Sequence, residues 1–326
     1  MTFEEDLEKW EFEKPRYKEL EEFIKKFLRD LFDERGLPVT IETRLKDDCS
    51  LIKKLIQKQH ERSDYTYEQM TDKCGARIIC RFKDDENEAC EIIDEYFSGK
   101  REDLSDKLDY NVQGYKSIHK DAKLKKEYVT DEIFEKFKNF GVEIQIRTLC
   151  ENVWADIYHD IGYKPENIVD LQIKRQLHCL GGLLEIADNN FSKINEGVKN
   201  SRELTPEFIL HCLERSYIKI YRMKYDPGYS IKNLKFLRSL MEFDSTDSFK
   251  KAIEEFIKKH ESKIAFIRKE RGNVLALNPL ATQPEVFIIF YLIETDSFIL
   301  KERWEEQYPR KYLDELSTWW SKPIFD

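Results

Sequence analysis

Apolar side chains recur three or four positions apart over residues 6–35, which predicts an amphipathic helix. A glycine and a proline directly after this segment end the helix. Residues 39–43 then alternate between apolar and polar side chains, as in a short strand. A second helix is expected over residues 48–61, because aspartate and serine at its start can satisfy the free backbone N–H groups of a first turn.

The next part of the chain alternates strand patterns with helical ones. Three further strands are predicted, at residues 77–82, 115–122 and 142–148. Four further helices are predicted, at residues 86–97, 131–140, 150–161 and 165–198, with a charged loop at residues 99–107. This mixture indicates an α+β fold, in which a mixed β-sheet is flanked by helices.

Helical periodicity dominates the last third of the chain. We expect a first domain at residues 1–200 and a mostly helical C-terminal region at residues 201–326, with the boundary near residues 200–206. Within this region, residues 285–293 are predicted to form a strand, since the chain is apolar from residue 286 onward. The tail is rich in Trp and Tyr, which are expected to belong to a core rather than to a ligand site.

Composition and charge restrict the class of protein. Of the 326 residues, 40% are hydrophobic and 37% are charged, which is enough to bury a sizeable core. No apolar run approaches the roughly 20 residues of a membrane span, and the N-terminus is charged, so we expect a cytoplasmic protein without membrane contact. The seven cysteines include no CxxC pair, which argues against disulfides and structural zinc. A net charge of −9 favours nucleotides over long nucleic acids as ligands.

A basic cluster spans the end of the first predicted strand and the start of the next helix. Arg44 and Lys46 precede the helix, and Ser50 and Lys54 stand four positions apart on one of its faces. Cations and hydroxyl groups that converge near a helix N-terminus suit a polyphosphate. Taken alone, the cluster is also compatible with a solvated helix face.

An acidic position lies just before a predicted strand. Asp72 precedes Gly75, which allows another group to approach the backbone closely, and Arg77 follows. Such a carboxylate can ligate Mg²⁺, which uses one or two carboxylates together with substrate phosphates. It can also simply cap a turn.

An aromatic residue directly follows a glycine at the start of another predicted strand. The ring of Tyr115 after Gly114 could therefore lie open for a nucleobase to stack on, or be part of the core.

The last predicted strand of the first domain carries a row of polar side chains. Alternation places Glu143, Gln145 and Arg147 on one face and β-branched residues on the other. The row indicates a wet cleft or a solvated sheet face.

The order and content of these clusters resemble the synthetase domain of RelA/SpoT-type alarmone synthetases. The matching segments are RLKDDCSLIKK, DKCGARI, QGYKSIH and VEIQIRTLCENVWADIYHDIGYK, within residues 35–165. The resemblance implies a nucleotidyltransferase-like fold and a magnesium-dependent transfer of the β,γ-diphosphate of ATP to a ribose 3′-hydroxyl. The HD doublet at His159 lies inside this pattern, so the hydrolase activity of longer relatives is not expected from it.

The resemblance also implies roles for individual residues. Asp72 and Glu143 are implied to bind Mg²⁺, with Glu143 also acting as the general base. The ATP-binding residues implied are Arg44 and Arg77 at the adenine and Lys46, Ser50 and Lys54 at the phosphates. The acceptor-binding residues implied are Tyr115, which would stack on guanine, with Lys116, His119, Gln145 and Asn152 nearby.

The identity of the acceptor stays open at this point. GDP or GTP is expected, but the segment before Gly114 is shorter than in small alarmone synthetases, and toxic relatives that act on the 3′ end of tRNA or make adenosine alarmones share the core motifs. A non-catalytic nucleotide-binding regulator is disfavoured, because both carboxylates and the basic cluster are intact. The C-terminal region matches no family by its motifs, and we expect it to regulate the synthetase, bind a protein partner or build a homo-oligomer.

Overall fold

The structure is a computed structural model that describes residues 3–103, 117–162, 171–272 and 275–325. The chain divides into two compact units. The first comprises residues 1–32 and 39–193, and the second comprises residues 33–38 and 194–326. Each unit has its own hydrophobic core.

A six-stranded mixed sheet forms the centre of the first unit. Its strands are β1 (Val39–Leu45), β2 (Cys74–Cys80), β3 (Phe97–Ser98), β4 (Arg101–Asp103), β5 (Ile118–Leu124) and β6 (Val142–Thr148). Their order is β1-β2-β6-β5-β3, and β4 also pairs with β5. The central pair β2 and β6 is parallel, whereas the other pairs are antiparallel. The predicted mixed sheet is confirmed, and the predicted loop at residues 99–107 is wrong at β4.

Six helices accompany this sheet: α1 (Phe3–Arg35), α2 (Asp48–Glu61), α3 (Lys83–Tyr96), α4 (Asp131–Phe137), α5 (Leu149–Gly162) and α6 (Leu171–Lys199). The predicted periodicity of α1 is confirmed, because six of the eight predicted apolar positions are buried, Trp10 and Tyr17 among them, and the other two, Phe23 and Phe27, are partly buried. The Trp10 ring packs against Tyr67, and the Tyr17 ring packs edge-on against Phe140. α1 therefore forms one side of the core of the first unit.

Local capping fixes where α2 and α5 begin. At α2, the Asp47 side chain accepts a hydrogen bond from the Ser50 N–H at 2.9 Å, so the cap lies one residue earlier than the sequence predicted. At α5, Thr148 Oγ1 accepts from the Glu151 N–H, and Glu151 Oε2 accepts from the Thr148 N–H. This reciprocal pair satisfies two backbone donors of the first turn. Lys83 of α3 also pairs with Glu151, which ties α5 to α3.

The second unit is helical throughout the residues that the structure describes. It contains α7 (Pro206–Tyr221), α8 (Pro227–Arg238), α9 (Thr246–Arg271), α10 (Val286–Thr295), α11 (Ser297–Arg303) and α12 (Arg310–Trp319). The predicted strand at residues 285–293 is wrong, because this run lies in α10. Side chains all around α10 are buried, so its apolar positions carry no period that separates a helix from a buried strand.

The aromatic tail belongs to the core of the second unit, as predicted. Trp304, Tyr308 and Trp320 are buried in it, and Tyr312, Trp319 and Phe325 pack against it. These aromatic side chains are therefore used in packing the second unit.

All seven cysteines are free, which agrees with the absence of a CxxC pattern. In the part of the chain that the structure describes, no helix is both long and apolar enough to cross a membrane.

Candidate active site

The strand register brings the polar clusters of the sequence onto one face of the sheet. Arg44 on β1 lies opposite Gly75 on β2, and Gly75 lies opposite Glu143 on β6. Two positions further along β2, Arg77 lies opposite Gln145. Because directly paired residues share a face, the side chains of three strands meet in one place.

A pocket of about 210 Å³ occupies this face. Its lining includes five of the residues singled out from the sequence, namely Arg44, Asp72, Arg77, Glu143 and Gln145. Glu42, Thr43, Gly75 and Ala76 complete the lining. The predicted donor and catalytic residues are thus largely brought together.

Asp72 is the centre of the basic cluster. Its Oδ2 lies 2.7 Å from the Lys46 Nζ and 2.8 Å from the Lys54 Nζ, and its side chain is only 12% exposed. Burial raises the pKa of Asp72, but the two ammonium groups lower it more, so its pKa lies below the usual range. Within the described residues, Asp72 Oδ1 is buried and has no hydrogen-bond partner.

Lys54 and Ser50 stand on the same face of α2, one turn apart, as predicted. Lys54 reaches Asp72, which lines the pocket, whereas Ser50 is exposed in the first turn of α2 and its backbone N–H donates to Asp47. The structure thus brings Lys54, rather than Ser50, to the carboxylate.

Glu143 is held by two polar neighbours. The Gln145 Nε2 donates to its Oε2 at 2.7 Å, and the His119 Nδ1 lies 3.7 Å from its Oε1. Burial raises the pKa of Glu143, but the contacts with His119 and Gln145 lower it more, so its pKa lies below the usual range. Glu143 is therefore ionised at neutral pH and can accept a proton.

Arg147 is buried, unlike the solvent-exposed side chain predicted for it. Only 3% of it is exposed, and its Nε donates to the Ser117 Oγ at 3.1 Å. Its Nη2 also donates to the Gln145 Oε1. Arg147 thus supports Gln145 from within the fold, while Glu143 and Gln145 line the pocket.

Arg77 is held by a residue that sequence reasoning missed. Its Nη1 lies 3.0 Å from the Asp156 Oδ1 on α5 and 3.5 Å from the Glu42 Oε2 on β1. Asn152, one turn before Asp156, donates from its Nδ2 to the Asp156 Oδ2 at 3.3 Å. The only sequence signal was this spacing of four positions on a predicted helix.

Two of the predicted acceptor residues, Tyr115 and Lys116, lie outside the described residues. The other three are described: His119 and Gln145 contact Glu143, and Asn152 contacts Asp156.

The site combines Arg44, Arg77 and Glu143 on one sheet face with the partly buried Asp72 and its two lysine partners beside the sheet. This combination is typical of proteins that bind polyphosphates and move a phosphoryl group by positioning and charge stabilisation.

Comparison with known proteins narrows this class. Residues 43–168 match a family model described as a region found in RelA / SpoT proteins. Over 210 residues the chain is 29% identical to the GTP pyrophosphokinase YjbM of Bacillus subtilis (strain 168), covering 60% of this chain and 93% of the relative. The GTP pyrophosphokinase YwaC of the same organism is 28% identical over 159 residues, covering 48% of this chain and 73% of the relative.

A solved structure of small alarmone synthetase 1 from Bacillus subtilis, bound to its product pppGpp, aligns with a TM-score of 0.48 and 26% identity. The alignment covers 59% of this chain and 98% of that one. Residues 43–168 therefore match the region found in RelA / SpoT proteins that the sequence motifs predicted, and the chain continues beyond it into an additional C-terminal region.

Proposed function

We propose that this protein is a magnesium-dependent pyrophosphokinase that transfers the β,γ-diphosphate of ATP to the ribose 3′-hydroxyl of GDP or GTP. The observation that carries the proposal is that Asp72 and Glu143 face one pocket together with a cationic cluster. The similarity to two GTP pyrophosphokinases supports the same reaction.

The donor half of the pocket suits ATP. Arg44 and Arg77 line it, and a planar guanidinium can stack on an adenine ring. Lys46, directly after β1, and Lys54 on α2 converge and provide the positive charge that a triphosphate requires. In this proposal, ordering ATP between these groups holds its β-phosphorus in position for attack.

The carboxylates suit a magnesium ion. Among the residues that the structure describes, no three His, Cys, Asp or Glu side chains form a metal cage. Mg²⁺ needs only one or two carboxylates when substrate phosphates and water supply its other ligands. The buried Asp72 Oδ1, which has no partner within the described residues, fits this role, and Glu143 would be the second ligand. When bound, the ion would neutralise charge on the transferring diphosphate.

Glu143 is the proposed general base. Its ionised carboxylate would accept the proton of the acceptor 3′-hydroxyl as that oxygen attacks the β-phosphorus. A new O–P bond forms at the 3′-oxygen, the bond between the β-phosphorus and the α-phosphate oxygen breaks, and AMP leaves with the electron pair of that bond. Gln145 and His119 hold the base in place.

The acceptor is proposed to be a guanosine nucleotide, bound by Tyr115, Lys116, His119, Gln145 and Asn152. His119 stands on β5, Gln145 on β6 and Asn152 on α5, and β5 pairs with β6 on the side away from β2. The names of the two relatives support GTP as the acceptor.

The test is to incubate the protein with γ-labelled ATP, Mg²⁺ and, separately, GDP, GTP, unlabelled ATP or deacylated tRNA. Label on GDP or GTP with equimolar AMP is the expected result, and Glu143→Gln is the inactive control. Label on tRNA or on a second ATP would keep the reaction class but replace the acceptor. No AMP with any acceptor would overturn the proposal.

A further inference from the structure

Asp156 occupies a junction between the two halves of the site. It lies on α5, which carries it over the sheet face next to β2. Its Oδ1 accepts from the Arg77 Nη1 at 3.0 Å, and its Oδ2 accepts from the Asn152 Nδ2 at 3.3 Å. The two oxygens of one carboxylate thus hold one side chain implied to bind ATP and one implied to bind the acceptor.

Stability does not explain this arrangement. The Asp156 side chain is 56% exposed, and ion pairs at that exposure contribute little to folding. Its effect is greater on the position of Arg77, whose long side chain loses rotamer freedom when it is held. A guanidinium that is already fixed has less freedom to lose when a nucleotide binds.

Asn152 depends on the same carboxylate. Its Oδ1 is buried and makes no hydrogen bond within the described residues. The bond from its Nδ2 to Asp156 therefore fixes the orientation of the amide. Glu42, the other carboxylate beside Arg77, is further away at 3.5 Å and sits on β1, on the opposite side of β2 from β6.

We propose that Asp156 is a positioning residue that couples the donor and acceptor sites by orienting Arg77 and Asn152 together. The proposal rests on the proposed function for the assignment of Arg77 to ATP and Asn152 to the acceptor. We call the two hydrogen bonds of the Asp156 carboxylate, to Arg77 and to Asn152, the carboxylate bridge. When a ligand occupies one site, this bridge is held more firmly, and the affinity of the other site for its ligand rises.

The bridge can be tested by ligand binding without turnover. The probe is α,β-methylene-ATP with Mg²⁺, because its methylene group replaces the bond that the reaction would break. Its dissociation constant is measured by calorimetry for the full chain and for Asn152→Ala, Asp156→Asn and the double variant. Asp156→Asn keeps the shape of the side chain, but one of its two oxygens becomes an NH₂ group, so it can accept from only one neighbour.

The expected result is that the effects of Asn152→Ala and Asp156→Asn on the dissociation constant of the ATP analogue do not add. Asn152→Ala weakens the ATP analogue about threefold in the wild-type background, a size typical of one partly exposed polar pair. In the Asp156→Asn background the same change has no further effect. The matched control is Glu42→Gln, which also removes one negative charge beside Arg77 but leaves the Asn152 effect intact. Asp156→Glu, which retains two oxygens, restores part of the coupling.

Three outcomes overturn the proposal. They are an Asn152→Ala effect that adds fully to Asp156→Asn, an Asn152→Ala variant that binds the analogue as the wild type does, and loss of the coupling in Glu42→Gln as well. Turnover gives a second readout, since a coupling residue raises KM for both substrates with little change in kcat, whereas a merely structural one lowers the melting temperature and kcat.

Calorimetric binding of the ATP analogue tests this proposal separately from the proposed function. Analogue binding with the expected non-additivity supports the bridge even if no acceptor receives label. If the wild type does not bind the analogue at all, both proposals fail.

Discussion

The ammonium of Lys73 lies 3.7 Å from the centre of the Tyr67 ring. The Tyr17 ring faces the same nitrogen at 5.7 Å, and only 5% of Lys73 is exposed. Burial lowers the pKa of Lys73 to about 8, although the nearby carboxylate of Glu13 opposes this shift. The residue directly after Asp72 is therefore a buried amine whose pKa is about 8.

We predict that Lys73→Met stabilises the protein at pH 7 by about 1–3 kcal/mol, because it removes the cost of a buried charge. Below pH 8 the lysine is charged in both the folded and the unfolded state, so this cost is fully present. Between about 8 and 10.5 the unfolded state holds a proton that the folded state has released, so the free energy of unfolding rises with pH. The measurement is urea unfolding at several pH values in this window.

Lys9→Met is the matched control for the loss of one lysine near Tyr67. Lys9 is more exposed, and its hydrogen bond with Glu68 raises its pKa, so it contributes no such rise between pH 8 and 10.5. The difference between wild type and Lys73→Met should shrink as the pH rises through this window. A constant difference at all pH values would contradict a titrating Lys73.

The aromatic surroundings of Lys73 show where prediction from the sequence ends. The strand at residues 142–148 was predicted with its exact bounds, because alternation of Glu143, Ile144 and Gln145 depends on neighbours along the chain. The contacts of Lys73 with Tyr17 and Tyr67 depend on how α1 packs, which no local pattern encodes. Asp156 was missed for the same reason, since its partner Arg77 is 79 positions away.

Removal of either carboxylate should abolish transfer without unfolding the protein. Glu143→Gln removes the proposed general base and should lower kcat by about a hundredfold or more. Asp72→Asn removes the charge that Lys46 and Lys54 share, and with it the proposed metal ligand. The measurement is AMP release from ATP in the presence of the best acceptor.

The control for both variants is the melting temperature, since each change preserves side-chain volume. Near-wild-type turnover by Glu143→Gln would exclude it as the base. Unchanged dependence of turnover on Mg²⁺ in Asp72→Asn would exclude Asp72 as a ligand.

His119 should set the acid limit of activity through Glu143. Its contact lowers the pKa of Glu143, so His119→Ala should raise that pKa and move the acid limb of kcat/KM to higher pH. Gln145→Leu should shift the limb in the same direction by a smaller amount. The readout is the pH at the midpoint of the acid limb, because the plateau value of kcat/KM also changes if acceptor binding weakens. If His119→Ala abolishes the limb and Gln145→Leu leaves it unmoved, the limb belongs to His119 and not to Glu143.

The second unit should owe its stability to α10, the helix whose sequence was mistaken for a strand. Phe287 is fully buried there and packs against the rings of Tyr217 and Tyr221 on α7. Phe287→Ala removes these contacts and leaves a cavity, which should lower the free energy of unfolding by about 3–5 kcal/mol. Phe298→Ala on α11 is the matched control, because Phe298 is 70% exposed and its loss should cost less than about 0.5 kcal/mol. Urea unfolding is followed by tryptophan emission in a background in which Trp10 and Trp154 of the first unit are replaced by Phe, so that the signal comes from the tryptophans of this unit, the buried Trp304 and Trp320 among them. Equal losses in the two variants would mean that α10 does not pack as the structure shows.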